Sequence, residues 1–370
     1  MANFKRAVTP AVWGFYLIIV LEILYMISPF ALYFYSVYGP WLNIFHQSRW
    51  TAWLTGFFLP HFSQTSSRVL NWLPELSDPL VIAGAALFAL GFVQIYWAKL
   101  WRRGAVTRWL YAYIRHPQYV ALAIVGIGTL IHWPRFLVLV MFVTMLFLYY
   151  FLARWEEEQC VRKFGDSYRV YQERTGMFFP GGLFKKFPPL LPSAGGKRVA
   201  AALALYVIVM AATVTAGYWL RDYSLSYLST SYGETMAVIS PAVLTQEEMS
   251  RALQVAQGST EVQTKLNQAG APAGVLVYVV PVQWRLPDIP MEVAPGGHHV
   301  PDDFDRRLYK VLFTKARTFE SSLSGEDIVK KAHGRDPIVL VKVNIETAQI
   351  TGIETPPPHV RWGDIPTPLF

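Results

Sequence analysis

The sequence predicts an all-α polytopic membrane domain of about five transmembrane helices, followed by a small α+β extramembrane domain. Three observations lead there. Of 370 residues, 53% are hydrophobic and only 16% are charged, a balance too apolar for an ordinary soluble chain. The apolar residues gather in runs close to the ~20 residues that a bilayer-crossing helix needs. Beyond residue 220 those runs stop and mixed polar sequence takes over. Residues 1–220 are therefore expected to form the membrane domain, with residues 221–370 as the soluble α+β domain.

The first span is expected over residues 11–38. Pro29 should kink it, and Glu22 within it needs a cavity or a partner rather than lipid. Residues 39–78 are aromatic but broken by Pro40, Pro60 and Pro74. Trp41, Trp50, Trp53 and Trp72 suit the headgroup layer, so this reads as an interfacial loop with room for a short surface helix. The second span is expected over residues 79–98. The third begins at Pro117 and the fourth ends near Arg154, as a hairpin interrupted by His132-Trp133-Pro134-Arg135. The third sits at the lower limit of spanning length. The fifth covers residues 199–220. In the C-terminal domain, residues 246–269 read as helix, 274–283 and 337–346 as strands, and 303–318 as helix.

Charge gives the expected orientation. Residues 1–220 hold 19 Lys and Arg against 8 Asp and Glu, while residues 221–370 hold 14 against 17. Lys5, Arg6, five basic residues between Lys99 and Arg115 and nine between Arg154 and Arg198 fall on one side of the spans. Arg49, Arg68 and Arg135 fall on the other. The basic side is expected in the cytoplasm, with the N-terminus, and the C-terminal domain in the periplasm or outside the cell. No basic run is interleaved with exposed aromatics in a soluble segment, so no nucleic-acid partner is expected. The single cysteine, Cys160, excludes an intrachain disulfide and reads as a packing residue. His298-His299 with Asp302, Asp303 and Asp305 is flanked by glycines and Pro301 and reads as a loop, with no metal expected.

Polar chemistry concentrates between Gly104 and Pro180. Pro117 suits the first position of a helix, which puts His116 at the cap and leaves first-turn N–H groups free to meet an anion. Glu157, Val161, Phe164, Tyr168 and Tyr171 would share one face of a helix, provided that Gly165 does not break it. Glu156, Glu157 and Glu158 equally suit the solvated start of a helix beyond the fourth span. At this level a ligand site and a plain membrane-surface helix both remain open.

Taken together, the two segments resemble the isoprenylcysteine carboxyl methyltransferases and related phospholipid methyltransferases, a family of integral-membrane methyltransferases. The resemblance covers residues 80–182. It rests on Arg115-His116-Pro117-Gln118-Tyr119, on Glu156-Glu157, and on Phe164-Gly165-Asp166-Ser167-Tyr168-Arg169-Val170-Tyr171, followed by Arg174 and Pro180. The family's Gly-Pro-Tyr turn keeps Tyr111 but has Trp109 and Leu110 at its first two positions. Thr175-Gly176 stand where a Pro usually follows the late Arg. The departures bear on the shape of the cofactor pocket and on the acceptor.

The resemblance implies S-adenosylmethionine as cofactor and a lipid-soluble acceptor: an isoprenylcysteine-like carboxylate, a thiol or a phospholipid amine. It implies Tyr111, Arg115, His116, Pro117, Tyr119, Glu156, Glu157, Tyr168 and Tyr171 as cofactor-binding residues, with Arg174 and Glu157 as catalytic candidates. His116 and the helix start would take the cofactor's carboxylate, a Glu its ammonium or ribose, and Arg174 an acceptor carboxylate or phosphate. The competing reading is a non-catalytic envelope protein whose outer domain binds a partner, a lipid carrier or a cell-wall component.

Overall fold

The computed structural model describes the chain apart from residues 1–19, 22–23, 25–26, 31–44, 46, 62, 102–105, 182–195, 271–273, 284–302, 321–322 and 357–370. The chain divides into two compact units. The first comprises Met1–Val37, Leu76–Leu130 and Val138–Ala212, and the second Tyr38–Glu75, Ile131–Leu137 and Thr213–Phe370.

Among the described residues, three helices are long and apolar enough to cross a membrane, in the stretches Arg68–Ala98, Phe136–Phe164 and Val199–Ser226. The helices concerned are α2 (Ser77–Leu100), preceded by the short α1 (Arg68–Trp72), then α4 (Phe136–Phe164) and α6 (Gly196–Ser226). A fourth apolar helix, α3 (Pro117–His132), has only 16 residues. The expected first span lies mostly outside the described residues, as do Glu22, Trp41, His298 and His299.

One boundary needs correcting. The fourth helix was expected to end near Arg154, with Glu156–Glu158 opening a new one. Instead α4 runs without a break for 29 residues to Phe164. No Gly or Pro interrupts it, and Leu, Ala, Arg, Glu, Gln and Lys near its end are good helix formers. The acidic trio therefore lies deep in a helix, not at its start. The chain turns only at Gly165, in the left-handed region at φ +58°, and α5 (Asp166–Arg174) follows.

The packing of α2 on α3 depends on small residues. A Cβ on Gly84 would lie 2.8 Å from the Ala121 carbonyl oxygen and the Val125 nitrogen. One on Gly128 would lie 2.8 Å from the Ser77 carbonyl oxygen. Removing side chains lets two helix backbones touch, and the Ser77 hydroxyl donates to the Gly128 carbonyl at 3.0 Å.

The second unit is built on a six-stranded sheet in the order β1-β2-β3-β4-β5-β6. Its strands are β1 (Ser229–Tyr232), β2 (Met236–Ser240), β3 (Val275–Pro281), β4 (Leu308–Arg317), β5 (Gly334–Asn344) and β6 (Gln349–Glu354). The β2/β3 pair is parallel and the others antiparallel. Two helices, α7 (Gln246–Gln257) and α8 (Thr260–Gln268), make the crossover that a parallel pair requires. All seven residues of β3 are buried, as an apolar run inside a covered sheet should be. A short helix, α9 (Glu326–Lys331), precedes β5.

The expected helix over residues 303–318 is overturned: β4 occupies that stretch. Tyr309, Val311 and Phe313 alternate along it and all are buried. Pairing on both edges, with β3 and β5, outweighs a local helical pattern.

Residues 52–75 pack as part of this unit. Phe57 bridges Arg135 in antiparallel fashion, the Phe58 amide donates to Pro134 at 2.9 Å, and the Phe136 amide to Gly56 at 3.0 Å. Gln64 and Ser66 donate to the carbonyls of Pro241 and Tyr227. Phe57 joins the apolar core of the sheet, while Trp50 and Trp72 remain exposed.

The glycine seam yields a test. Gly84→Ala and Gly128→Ala should each cost about 1–3 kcal/mol through overpacking against backbone. The measurement is thermal unfolding of the detergent-purified protein. Wild-type stability in both variants would mean that α2 and α3 do not meet there.

Candidate functional site

The site is assembled from three short stretches of the first unit. A 3-10 turn, Trp109–Ala112, leads through Ile114 and Arg115 into α3. The C-terminal part of α4 supplies Glu156 and Glu157. Helix α5 and the loop after it supply the third stretch. Ile114 pairs with Gly176 in a parallel bridge. The Arg115 amide donates to the Gly176 carbonyl at 2.9 Å, and the His116 amide to Met177 at 3.1 Å.

Gly176 is required for that clamp: a Cβ there would lie 1.7 Å from the Phe179 carbonyl oxygen. The departure Thr175-Gly176 therefore makes the turn that holds Arg115 and His116. The departure at Trp109 has a conformational trace as well. Trp109 sits at φ +57°, a left-handed conformation that glycine adopts without strain, and its side chain is 82% exposed.

The side chains form a buried ionic cluster. Arg115 Nε donates to Glu157 Oε1 at 2.5 Å, and its Nη1 donates to the carbonyls of Gln172 and Thr175. Gln172 Nε2 donates to Glu157 Oε2 at 3.0 Å. His116 Nδ1 lies 3.3 Å from Glu156 Oε2, and its Nε2 lies 3.4 Å from Glu157 Oε1. That second contact is ionic only, because the buried Nε2 has no hydrogen-bond partner among the described residues. The Tyr119 hydroxyl donates to Glu156 Oε1 at 2.7 Å. Glu157 is buried, whereas the Glu156 side chain keeps 27% of its exposure.

Aromatic rings surround the cluster. His116 stacks on Tyr119 at 5.4 Å and Tyr119 on Tyr149 at 4.6 Å. Phe178 lies 5.9 Å from His116. Tyr171 donates to the Tyr111 carbonyl at 2.5 Å and lies 5.5 Å from Tyr168. Burial pushes the Tyr111 and Tyr168 phenols upward, and Tyr171 up to about 12. All three stay neutral donors.

Of the residues singled out in the sequence, Tyr111, Arg115, His116, Tyr119, Glu156, Glu157, Tyr168 and Tyr171 come together, with Pro117 opening α3. Arg174 ends α5, is exposed and makes no ion pair among the described residues. Cys160 is half-buried. Gln172, Tyr149 and Phe178 escaped the sequence reading. Two of them carry helical spacing that could have revealed them: Gln172 follows Tyr168 by four, and Tyr149 precedes Glu156 by seven.

The donor set fits a zwitterionic ligand. His116 offers a buried N–H and sits before first-turn amides that lack an intrahelical acceptor. Glu156 offers a carboxylate that solvent still reaches. Burial alone would depress the His116 imidazolium, but Glu156 and Glu157 outweigh it and hold its pKa above the ordinary value. Such a group stabilises the fold below its unfolded pKa of ~6.5, and the contribution fades as pH rises through the folded value. The melting-temperature difference between wild type and His116→Asn should therefore be largest near about pH 6 and shrink toward about pH 9. A difference that is constant across that range would mean that His116 is neutral in the fold.

Comparison with curated proteins and with solved structures returns no match. The family model described as phospholipid methyltransferase matches residues 81–167. That stretch contains α3, α4, most of α2, and both halves of the Arg115–Glu157 contact. Residues 81–167 thus match a family of membrane methyltransferases, the same kind that the Arg-His-Pro and Glu-Glu segments resembled.

Proposed function

We propose that the first unit is an S-adenosylmethionine-dependent methyltransferase acting on a lipid-soluble acceptor. The observation that carries this reading is His116: buried at the start of α3, flanked by two carboxylates, with Nε2 free of a hydrogen bond among the described residues, inside the family-matching stretch. The cofactor supplies an electrophilic methyl group. His116 and the first-turn amides of α3 hold its carboxylate. Glu156 takes its ammonium or ribose hydroxyls. Glu157 fixes Arg115 and His116 in place, because its two oxygens already accept from Arg115 and Gln172. Tyr111, Tyr119, Tyr168 and Tyr171 wall the pocket.

Methyl transfer is a displacement in line, so holding donor and acceptor in register supplies most of the rate. Arg174, exposed beside the clamp, orients an acceptor carboxylate or phosphate. The acceptor, whether a prenyl-type carboxylate, a thiol or a phospholipid amine, reaches the site from the bilayer.

The test is isothermal titration of detergent-purified variants with S-adenosylhomocysteine, together with methyl transfer to extracted lipids. Glu156→Gln should weaken binding roughly tenfold or more, the worth of a hydrogen bond between charged groups. Glu158→Gln, at an exposed position, should change it less than about twofold. Arg174→Ala should lose turnover far more than affinity. Either no binding by wild type or equal small effects at all positions would favour a non-catalytic envelope protein.

Localisation is proposed as integral membrane, with the site cytoplasmic and residues 221–370 in the periplasm or outside the cell. Beyond the basic asymmetry, the composition of the second unit supports it. Residues 38–75, 131–137 and 213–370 form one compact body. With five alternating spans those three segments would emerge on the same side. Alkaline phosphatase fused after Phe370 should be active. An inactive fusion of an expressed protein would reverse the orientation or change the span count.

A further inference from the structure

Two arginines of the second unit are buried with no ion-paired carboxylate among the described residues. Arg135, in the turn between α3 and α4, is 7% exposed, and Arg221, near the end of α6, is 8% exposed. Arg135 Nη1 donates to the Thr55 carbonyl at 2.5 Å. Arg221 Nη2 makes one long contact, 3.4 Å, to the Val329 carbonyl. The Nε of each is buried and has no hydrogen-bond partner among the described residues. A guanidinium has five N–H donors, so most of this donor capacity is unspent. Asp222, next in sequence to Arg221, is exposed and lies 3.6 Å from Lys330.

Both guanidinium groups border one short segment. Arg135 bonds to Thr55, and Arg221 Nη1 lies 3.7 Å from where a Cβ on Gly56 would be. Gly56 has no side chain to fill that space. The Phe57 ring covers one face of Arg135 at 4.2 Å, which offsets part of its charge. Burial draws the Arg135 guanidinium down, to about 9, which still leaves it charged at neutral pH. Two buried cations at one locus are costly unless an anion is present.

The surroundings say which anion. Arg135 lies in the turn where two apolar helices leave the bilayer, and Arg221 lies near the end of a third. Trp219, two residues from Arg221, is 65% exposed, and Trp50 is exposed as well. Exposed tryptophans at helix ends mark the headgroup layer, where phosphate is the abundant anion. Forked Arg donors suit phosphate oxygens. We propose that Arg135 and Arg221 form a binding site for the phosphate of an anionic membrane lipid, on the face of the chain that carries the second unit. The site uses no residue of the methyltransferase cluster.

The test uses the full-length protein, delipidated in neutral detergent, and follows thermal unfolding. The additives are dioleoylphosphatidylglycerol, dioleoylglycerol and inorganic phosphate at equal concentration. Phosphatidylglycerol should raise the melting temperature of wild type by mass action, and dioleoylglycerol should not. Arg135→Gln and Arg221→Gln should each need roughly tenfold or more lipid for the same shift. If inorganic phosphate matches phosphatidylglycerol in wild type, the lipid source is overturned and a free anion takes its place. If phosphatidylglycerol shifts wild type and both variants alike, or shifts none, the site is overturned. Should the Gln variants not fold, native mass spectrometry of wild type decides: retained phosphatidylglycerol is expected, and its absence under gentle delipidation overturns the proposal.

Discussion

The contact between Arg115 and Glu157 is the constraint on which the first unit depends. A carboxylate buried at the end of an apolar helix is tolerable only if its lone pairs are filled. Arg115 and Gln172 fill them and His116 lies alongside. That requirement explains the local chain path. Helix α4 must continue past its apolar portion to deliver Glu157. Helix α5 must fold back at Gly165 to deliver Gln172. The turn at Gly176 must then present carbonyls to the Arg115 and His116 amides. Each element is short or exposed alone, and the ion pair gives all three a common reference point.

In the second unit the organising force is different. The sheet buries a continuous apolar core, to which β3 contributes more buried apolar residues than any other strand. The Thr245–Glu248 capping box starts α7, and Glu248 also accepts from the Tyr309 hydroxyl and from Arg306. A single carboxylate thus ties a helix start to a strand end. The segments at residues 52–66 and 133–136 dock on the same body through backbone hydrogen bonds, so loops between apolar helices become part of an ordinary α+β fold.

Much of this was legible from sequence, for identifiable reasons. Apolar runs and Pro117 located α2, α3 and α6, because length and helix-start chemistry are local properties. The β3 and β5 runs were legible because buried strands are apolar throughout. The site residues were legible as a combined pattern, each part being weak alone. What escaped depends on partners distant in sequence. β4 reads locally as a helix and becomes a strand only between two others. Gln172 and Tyr149 matter only once Glu157 and Tyr119 are near. Gly176 looked like a departure until the Phe179 carbonyl behind it was known. Trp109 shows the reverse: the backbone keeps the glycine-like conformation although the side chain has changed.

The brevity of α3 has a consequence for biogenesis. Sixteen residues of helix rise about 24 Å, short of the ~30 Å hydrocarbon core. During synthesis such a segment gains little from partitioning into lipid by itself. Its glycines, Gly126 and Gly128, favour protein neighbours over acyl chains, since a Cβ on Gly126 would strike the Phe142 ring of α4 and one on Gly128 the backbone of α2. Packing against α2 and α4, more than contact with lipid, therefore holds α3 in place. Arg115 and Glu157 lie 42 residues apart, so the ribosome has to complete both arms before the ion pair can close.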